Sequence, residues 1–426
     1  MSKGHVHVVG AGLAGLSAAL HLRSAGLDVT LWEGARAAGG RCRSYHDSRL
    51  DCLIDNGNHL VLSGNRSVMR YLALAGAPDA LVPAPAAAFP FVDLASGERW
   101  TVGINDGALP WWPLSRARRP AGVPLGAFLR SLPLLWASPE ATIADAVQPE
   151  GHALTRFWEP MSLAVMNLPP HLASARLMAA TAREAWRDGR LCRPMFAPEG
   201  LGTALVEPAL RTLARQGVAV QFGRVVRAVE EQGGRASALR FASGEPVLLG
   251  PCDAVVLAVP PVRLNELFPE AGAPEEASSI LNAHFRLDRP VDAPRLLGVT
   301  CARTQWIFAR REVLSLTISA AEHVEGTEAE HAALLAQLWA ETKAALGLAP
   351  ELQFRAARIV HERRATFRQT PEAVAQRPKT LTRLPNLVLA GDAIDTGLPA
   401  TIEGAVRSGE MAARALAGGA ASGSSR

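Results

Sequence analysis

The sequence of 426 residues has few lysines, and its positive charge comes from arginine. Only three of its 44 basic residues are lysines, although the net charge is +4 and the pI is near 9.0. No basic run is interleaved with stacking aromatic side chains, so we expect no nucleic-acid partner. The mild basicity remains compatible with contact to an anionic membrane surface.

Cysteines and long apolar runs are also scarce. The five cysteines are odd in number and dispersed, without Cys-x-x-Cys spacing, so neither a disulfide framework nor a zinc site is expected. No stretch of eighteen apolar residues could span a bilayer. The apolar run over residues 6–22 is broken by glycines and precedes no cleavage-type segment, which argues against a signal peptide. About half of the residues are hydrophobic, which is typical of a globular protein. Together with the absences above, this predicts a protein of the reducing cytoplasm that binds no metal.

Residues 5–33 show the first informative pattern, a strand, a glycine turn, an amphipathic helix and a second strand: HVHVVGAGLAGLSAALHLRSAGLDVTLWE. Gly10, Gly12 and Gly15 satisfy G-x-G-x-x-G between the first strand and the helix. Gly10 permits a tight turn, Gly12 lets the backbone approach a pyrophosphate, and Gly15 lets the helix lie close to the strand. The N–H groups that open the helix, at Leu13 and Ala14, would hold phosphate oxygens. The pattern predicts a dinucleotide site.

Two features downstream refine that site. Glu33 ends the second strand, where a carboxylate accepts hydrogen bonds from ribose hydroxyls and repels the 2′-phosphate of NADP. After it, Gly39 and Gly40 offer further backbone N–H groups, and Arg41 offers a guanidinium suited to the same pyrophosphate. The glycine triplet alone does not separate NAD from FAD.

The run over residues 10–41 resembles the FAD-binding signature of the amine oxidase and phytoene desaturase superfamily. The resemblance implies an α/β fold with a Rossmann-like FAD-binding domain of the glutathione-reductase type and an interleaved α+β substrate domain. It also implies further FAD contacts, from Val225 and Val226 near the adenine and from a distant C-terminal strand that ends in Gly391 and Asp392. There Asp392 would accept hydrogen bonds from the ribityl or pyrophosphate portion. A helix beginning near Thr401 would direct the backbone N–H groups of Ile402 and Glu403 at the flavin pyrimidine, where negative charge develops on reduction.

The same resemblance divides the chain into interleaved domains. The FAD-binding domain would combine residues 1–70, 195–262 and 380–418. The substrate domain would combine residues 71–194 and 263–379. Residues 419–426 read as a flexible tail.

Three other segments narrow the resemblance to one family. Residues 50–65, 157–175 and 390–409 resemble the hydroxysqualene dehydroxylases of hopanoid biosynthesis, formerly called squalene-associated FAD-dependent desaturases. In this resemblance Asn56 and Gly57 lie against the isoalloxazine. No cysteine follows Cys301, so the covalent flavin link of some amine oxidases is not expected. The implied reaction converts hydroxysqualene, a C30 allylic alcohol, to squalene with hydride from reduced flavin N5.

This chemistry requires a proton donor for the leaving hydroxyl and a dry, apolar tunnel for the allylic cation. The candidate polar side chains are His59, Asp55, Asp395 and Glu159. Each has a structural alternative, because the two aspartates could cap turns beside Gly57 and Gly397 and Glu159 could begin a helix. A bound water could also take the place of a side-chain acid.

Several alternatives remain open from sequence. A carotenoid desaturase would run the flavin in the opposite direction, and a prenyl-protein escort of the same fold would hold no flavin. Only one dinucleotide fingerprint is present, so the electron donor is an external reductase or NAD(P)H. Residues 107–138 mix tryptophans with arginines, which is typical of a peripheral membrane element and also of a lid.

Overall fold

The computed structural model describes residues 4–322 and 327–422. Its strands, numbered along the chain, are β1 (His5–Val9), β2 (Asp28–Glu33), β3 (Ser44–Asp47), β4 (Cys52–Asp55), β5 (Val61–Leu62), β6 (Val82–Pro83), β7 (Ala88–Asp93), β8 (Arg99–Gly103), β9 (Pro194–Phe196), β10 (Ala219–Phe222), β11 (Val226–Gln232), β12 (Arg235–Phe241), β13 (Val247–Leu248), β14 (Ala254–Leu257), β15 (Ala277–Arg286), β16 (Leu296–Thr300), β17 (Trp306–Arg310), β18 (Val313–Ser319), β19 (Ala356–Phe367) and β20 (Leu387–Leu389).

Its helices are α1 (Leu13–Ser24), α2 (Arg66–Leu74), α3 (Leu125–Arg130), α4 (Ile143–Val147), α5 (Gly151–Ala153), α6 (Glu159–Met166), α7 (Ala175–Thr181), α8 (Glu207–Arg215), α9 (Pro261–Leu267), α10 (Glu328–Leu346), α11 (Pro371–Ala375) and α12 (Ile402–Ser422). Short 3₁₀ or π turns lie at Gly40–Cys42, Trp112–Leu114, Leu132–Trp136, Leu154–Trp158, Ala182–Trp186, Gly189–Leu191, Gly202–Val206 and Pro269–Ala271.

A parallel sheet in the order β10-β2-β1-β14-β20 brings the two ends of the chain together. β20 is apolar and fully buried, and in β1 every residue after His5 is buried, as expected for parallel strands covered on both faces. α1 and α12 pack against each other so closely that a Cβ on Gly409 would lie 2.2 Å from the carbonyl oxygen of Ala14. The glycine turn after β1 and the start of α12 after β20 therefore lie at the same end of the sheet, beyond the carboxyl ends of its parallel strands.

A second, mixed sheet runs in the order β19-β15-β18-β17-β16-β7-β8. Its members come from residues 88–103 and 277–367, and the two portions join where β16 pairs with β7 in parallel. α10 covers one face with the buried side chains of Leu334, Leu338 and Trp339. The strands of the two sheets thus fall in the segments expected for the FAD-binding and substrate domains, and the exact boundaries stay a prediction.

Residues 107–138 lie at the surface of the helical part of the second unit. Trp111 and Trp136 are exposed, whereas Trp112 is buried against Phe128 and Phe157. α12 continues through residues 419–422, which we expected to be part of the tail, and residues 423–426 lie outside the described residues. Within residues 4–322 and 327–422, no helix combines the length and apolarity needed to cross a bilayer.

Candidate functional site

The glycine turn between β1 and α1 separates packing from ligand access. A Cβ on Gly10 would lie 2.3 Å from the carbonyl oxygen of Ala258, and a Cβ on Gly15 would lie 1.8 Å from that of Gly10. Gly12 differs, because a Cβ there would meet nothing within 4 Å. Gly12 also precedes α1 without a side-chain cap. The helix therefore opens onto free space with the N–H groups that bind phosphate.

The second glycine pair closes over this turn. Gly39 forms a parallel bridge with Gly12, and a Cβ on Gly40 would lie 3.5 Å from the Cα of Gly12. Leu13 and Ala14 supply the first N–H groups of the helix beneath it. These backbone groups and the open space over Gly12 fit the pyrophosphate of a dinucleotide.

Glu33 lies at the edge of the same turn. Its Oε2 accepts a hydrogen bond from the N–H of Ala11 at 2.7 Å, and its Oε1 accepts one from Ala35 at 2.7 Å. Each carboxylate oxygen retains a lone pair for a ribose hydroxyl. The structure therefore shows a positioned acceptor, and ribose binding by Glu33 stays a prediction.

The two predicted adenine residues differ in their surroundings. The side chain of Val225 lies over Gly34, where an added Cβ would approach it to 3.2 Å. Val226 is buried in a core that includes Trp32 and Leu239. Of the two, only Val225 presents a partly exposed side chain beside the end of β2.

Arg41 and Asp392 join the two ends of the chain. The Arg41 guanidinium donates to both carboxylate oxygens of Asp392, at 2.6 and 2.9 Å, and to the carbonyl oxygen of Ala365. Burial by itself would raise the pKa of Asp392, but the positive charge of Arg41 holds that pKa below its ordinary value. We expected each residue to contact the cofactor directly. The structure pairs them, so that Asp392 fixes the guanidinium beside the glycine turn, and direct contact of either with the cofactor stays a prediction.

The loop after Gly391 is held by two residues that sequence reasoning missed. Arg377 has no exposed side-chain surface and donates to the carbonyl oxygens of Asp392 at 3.1 Å and Leu398 at 2.8 Å, and also to those of Ala393 and Ile394. Gln369 accepts a hydrogen bond from the N–H of Ala400 at 2.8 Å. Neither residue lies in a recognisable motif, so no local signal marks them.

α12 begins where the sequence predicted, but the side chain of Glu403 has an unexpected partner. The Oγ1 of Thr401 accepts from the N–H of Gly404, while Glu403 is buried and accepts from the N–H groups of Ser67 and Val68 at 3.0 Å each. Those groups open α2, so the carboxylate caps α2. Any flavin contact from Glu403 is therefore left to its backbone N–H, as for Ile402.

A mostly apolar cavity, with about 1150 Å³ of empty space that includes open solvent, reaches this helix start. Thr401 and Ile402 form part of its wall. The rest of the wall is largely apolar and includes six aromatic side chains: Phe89, Phe91, Trp112, Phe157, Trp186 and Trp306. The cavity is therefore a mostly apolar site that meets the helix N-terminus predicted to face the flavin.

His59 is the only one of the four predicted polar candidates that directly precedes a residue of the cavity wall, Leu60. Its ring is partly exposed and forms no hydrogen bond within the part of the chain that the structure describes. Burial, and then the positive charge of Arg41, lowers the pKa of His59. We expected an easily protonated acid here, and this lowered pKa favours a neutral imidazole at pH 7.

Asp55 has a structural role. It is buried and accepts hydrogen bonds from the hydroxyl of Ser44, the N–H of Leu201 and the guanidinium of Arg310. The last two distances are 2.9 and 2.8 Å. These three donors hold the carboxylate in place, which favours the structural alternative considered from sequence, and a role of Asp55 as a proton donor stays a prediction.

Asp395 and Glu159 also lie apart from the cavity wall. Asp395 accepts from the N–H of Gly397 at 3.1 Å and faces Arg176 at 3.7 Å, the turn-capping alternative considered from sequence. Glu159 is exposed at the start of α6. Neither residue lines the cavity, which favours the structural alternative for both, and a catalytic role of either stays a prediction.

The segment Asn56–Gly57 lies next to the ring of His59. The Nδ2 of Asn56 donates to Glu362 at 3.1 Å, and its backbone N–H donates to the carbonyl oxygen of Arg43. Gly57 is buried, and a Cβ on it would lie 3.4 Å from the Nε2 of His59 and 3.5 Å from the Nδ2 of Asn282. Asn282 lies far away in sequence, and no motif indicated it.

Comparison with known proteins agrees with this geometry. Residues 13–417 match the family described as flavin containing amine oxidoreductase. The chain is 44% identical to hydroxysqualene dehydroxylase of Rhodopseudomonas palustris and 42% identical to that of Sinorhizobium fredii, each over 96% of this chain and 97% of the relative. The corresponding enzyme of Zymomonas mobilis is 39% identical over the same shares.

Solved structures of low sequence identity share the fold. A putrescine oxidase variant superposes with a TM-score of 0.70 at 18% identity, covering 97% of this chain and 99% of that one. Cyclohexylamine oxidase of Brevibacterium oxydans gives a TM-score of 0.69 at 16% identity, covering 99% and 100%. The dinucleotide of this site is accordingly FAD, and the protein is an FAD-dependent oxidoreductase. The chain belongs to the flavin containing amine oxidoreductases and, among them, to the hydroxysqualene dehydroxylases.

Proposed function

We propose that this protein catalyses the FAD-dependent reductive dehydroxylation of hydroxysqualene to squalene in hopanoid biosynthesis. The observation that carries the proposal is the apolar cavity that reaches the first turn of α12. The loop before that helix contains Asp392, which pairs with Arg41 of the cofactor region. A C30 isoprenoid needs a long apolar site, and a redox reaction needs that site to reach the cofactor. Nearly full-length similarity to three hydroxysqualene dehydroxylases supports the same reaction.

In the proposed reaction, the carbon–oxygen bond breaks and its electron pair leaves with oxygen. The oxygen takes up one proton and departs as water, while the allylic carbon receives a hydride and becomes squalene. Bound reduced FAD supplies that hydride and is left oxidised. The first turn of α1 would bind the pyrophosphate, and the first turn of α12 would stabilise negative charge on the pyrimidine side of the flavin.

The cavity wall has a chemical task beyond binding. An allylic cation is captured by water unless the site is dry, and the aromatic side chains around the cavity exclude water from it. His59 adjoins the wall and would hydrogen-bond to the leaving oxygen. Because its pKa is lowered, we assign it a hydrogen-bonding role as the neutral imidazole. Its partly exposed ring would take up a proton from solvent on one nitrogen and pass the proton of the other to the leaving oxygen, so no water needs to enter the cavity.

The reaction is tested with purified protein loaded with FAD, reduced by dithionite without oxygen and incubated with hydroxysqualene. We expect squalene by mass spectrometry, in an amount that matches the flavin oxidised. Oxidised protein incubated with phytoene serves as the comparison and should give no desaturated product. Absence of squalene with fully reduced flavin would refute the proposal, and phytoene desaturation would replace it with the opposite redox direction. A protein that takes up no FAD would favour an escort function.

The electron donor is addressed with the same preparation. We propose that either NAD(P)H or an external reductase reduces the flavin. Anaerobic mixing with NADPH or NADH separates the two, because loss of flavin absorbance without added protein identifies direct nicotinamide reduction. Persistence of the oxidised spectrum points to a reductase.

We also propose that residues 107–138 bind an anionic membrane surface peripherally. The segment contains four arginines and no acidic residue. Its large apolar side chains are unusually exposed, with Leu109 at 76% and Trp136 at 77%. Trp112 of the same segment forms part of the cavity wall, so the surface is continuous with the proposed route of a lipid substrate.

Replacing Leu109, Trp111 and Trp136 together by serine should reduce sedimentation with liposomes containing phosphatidylglycerol by about tenfold. Trp112 is left intact because it is buried. The matched control replaces Leu248 and Leu381, which are exposed at 76% and 69% in the other unit. Equal liposome binding by both variants would assign the segment to a lid.

A further inference from the structure

Asn282 lies in the middle of β15 with its side-chain amide held in one orientation. The Oδ1 accepts hydrogen bonds from the hydroxyl of Thr317 at 3.0 Å, the Nδ2 of Asn58 at 3.3 Å and the N–H of Asn58 at 3.4 Å. A rotated amide would direct its own N–H groups at these donors. The network therefore fixes which edge of the amide points away from it.

The free edge carries a donor without an acceptor. Asn282 is 1% exposed, and its Nδ2 has no hydrogen-bond partner among residues 4–322 and 327–422. A buried donor left unsatisfied is costly, and its presence in a fixed orientation calls for an explanation. The Nδ2 lies beside Gly57, at 3.5 Å from the point where a Cβ would be.

His59 approaches the same point from the other side. Its Nε2 lies 3.4 Å from the Cβ position of Gly57. Like the Nδ2 of Asn282, the ring of His59 has no hydrogen-bond partner in the described chain. Because residue 57 is glycine, a small notch separates two nitrogen groups that can both donate to one acceptor.

The notch lies between the two parts of the site. On one side Asn56, the neighbour of Gly57, donates to Glu362 of β19, and the same strand carries Ala365, whose carbonyl oxygen accepts from Arg41 of the cofactor region. On the other side the chain continues directly into Leu60 of the cavity wall. A group bound in the notch would therefore lie at the junction of the cofactor region and the apolar cavity.

We propose that Asn282 and His59 form a subsite that binds the hydroxyl oxygen of the substrate, and the water that it becomes, at this junction. The inference rests on the proposed function. The occupant must supply a hydrogen-bond acceptor, because the free edge of Asn282 carries only N–H groups and the Nε2 of His59 can also donate. The hydroxyl oxygen is the one acceptor that the proposed substrate brings. The substrate is otherwise apolar, so a hydrogen bond to its hydroxyl in the notch would fix its position along the cavity and place the allylic carbon relative to the flavin.

The experiment measures whether the protein distinguishes the alcohol from the hydrocarbon. Oxidised, FAD-loaded protein cannot deliver hydride, so equilibrium binding of hydroxysqualene and squalene can be followed by quenching of the cavity tryptophans. We expect the wild type to bind hydroxysqualene about tenfold more tightly than squalene, the effect of one good hydrogen bond. Asn282→Leu, of similar size, should bring the ratio near one while the Kd for squalene stays within about twofold of wild type.

The control is Thr317→Val, which removes one network hydrogen bond and keeps the free N–H of Asn282. It should retain the preference for the alcohol. Retention by Asn282→Leu, or an equal loss by Thr317→Val, would overturn the inference. If Asn282→Leu fails to bind squalene, His59→Phe provides the test, because the His59 ring makes no hydrogen bond in the described chain that the substitution could break. A reduced preference of His59→Phe for hydroxysqualene over squalene supports the subsite. An unchanged preference overturns it.

A turnover assay on the wild type separates this inference from the proposed function. Squalene formation by the wild type together with an unchanged preference in both variants rejects only the subsite. Failure of the wild type to form squalene rejects the reaction itself. In single turnovers, Asn282→Leu should also slow oxidation of the reduced flavin by hydroxysqualene about tenfold or more, whereas Thr317→Val should remain within about twofold.

Discussion

Gly15 and Gly12, three residues apart in one motif, should respond in opposite ways to the same substitution. A methyl group on Gly15 would lie 1.8 Å from the carbonyl oxygen of Gly10, although an ordinary contact needs 3.4 Å or more. Both atoms belong to rigid elements, so α1 must move away from β1. We expect Gly15→Ala to lower the free energy of unfolding by about 3 kcal/mol or more, a large part of the stability of a typical domain.

Gly12→Ala should leave the fold nearly intact and damage the cofactor site. Its φ of −72° suits any residue, and the added methyl meets no protein atom within 4 Å. The stability cost is that of alanine at a helix N-cap, about 1 kcal/mol or less. The methyl instead occupies the approach of the pyrophosphate, so we expect the Kd for FAD to rise about 100-fold, which corresponds to about 2.7 kcal/mol.

Two measurements separate these effects. Urea unfolding of the FAD-free proteins reports stability without the contribution of the bound ligand, and quenching of flavin fluorescence reports FAD affinity. Each variant is the control for the other. Wild-type stability in Gly15→Ala, or an unchanged Kd for FAD in Gly12→Ala, would refute the division of roles between the glycines.

Three other substitutions test the roles read from the structure. Glu403→Gln should destabilise the protein by about 2 kcal/mol in urea, through loss of the charged cap on α2, and leave the Kd for FAD within about threefold; a selective loss of FAD affinity would show that the side chain acts at the cofactor rather than as a cap. Arg377→Met removes the donor that holds four carbonyl oxygens of the loop after Gly391, so we expect about 2–4 kcal/mol of destabilisation and reduced FAD content by absorbance, and unchanged values would contradict that role. Burial lowers the pKa of His284 from 6.5 to about 4. Below pH 6.5 His284 is protonated in the unfolded chain but stays neutral in the folded chain. The free energy of unfolding should therefore fall by up to about 3 kcal/mol between pH 6.5 and 4. His284→Gln should flatten that fall in urea titrations, and an identical pH dependence would refute the assignment.

The predictions that succeeded depend on local pattern. Residues 5–33 carry a strand period, a glycine triplet and a helix period in immediate succession, and the structure contains β1, α1 and β2 at these positions. The fold class, the FAD cofactor and the family were predictable for the same reason, because contiguous motifs at both chain ends carry them. The apolar tunnel was expected from the chemistry of the substrate rather than from any one segment.

The contacts that the sequence did not reveal join distant residues. The carboxylate of Asp392 was expected to accept from the cofactor, and in the structure it accepts from Arg41. For Glu403 the expectation concerned the backbone N–H, and the structure adds that its carboxylate caps α2. A sequence shows that a carboxylate is present near a site and does not show which donor reaches it first. Trp111 and Trp112 are neighbours in sequence, yet one is exposed and the other lies in the cavity wall.

The sequence by itself determined the dinucleotide fold, the return of the C-terminal strand and the reaction class, because glycine turns and strand or helix periods are encoded over a few consecutive residues. Only the tertiary structure decided which polar groups are free to act. Asp55 accepts hydrogen bonds from Ser44, Leu201 and Arg310, whereas Asn282 keeps one buried N–H without a partner in the described chain. That difference arises from strands and loops more than a hundred residues apart, where packing fixes both the orientation and the solvation of each side chain.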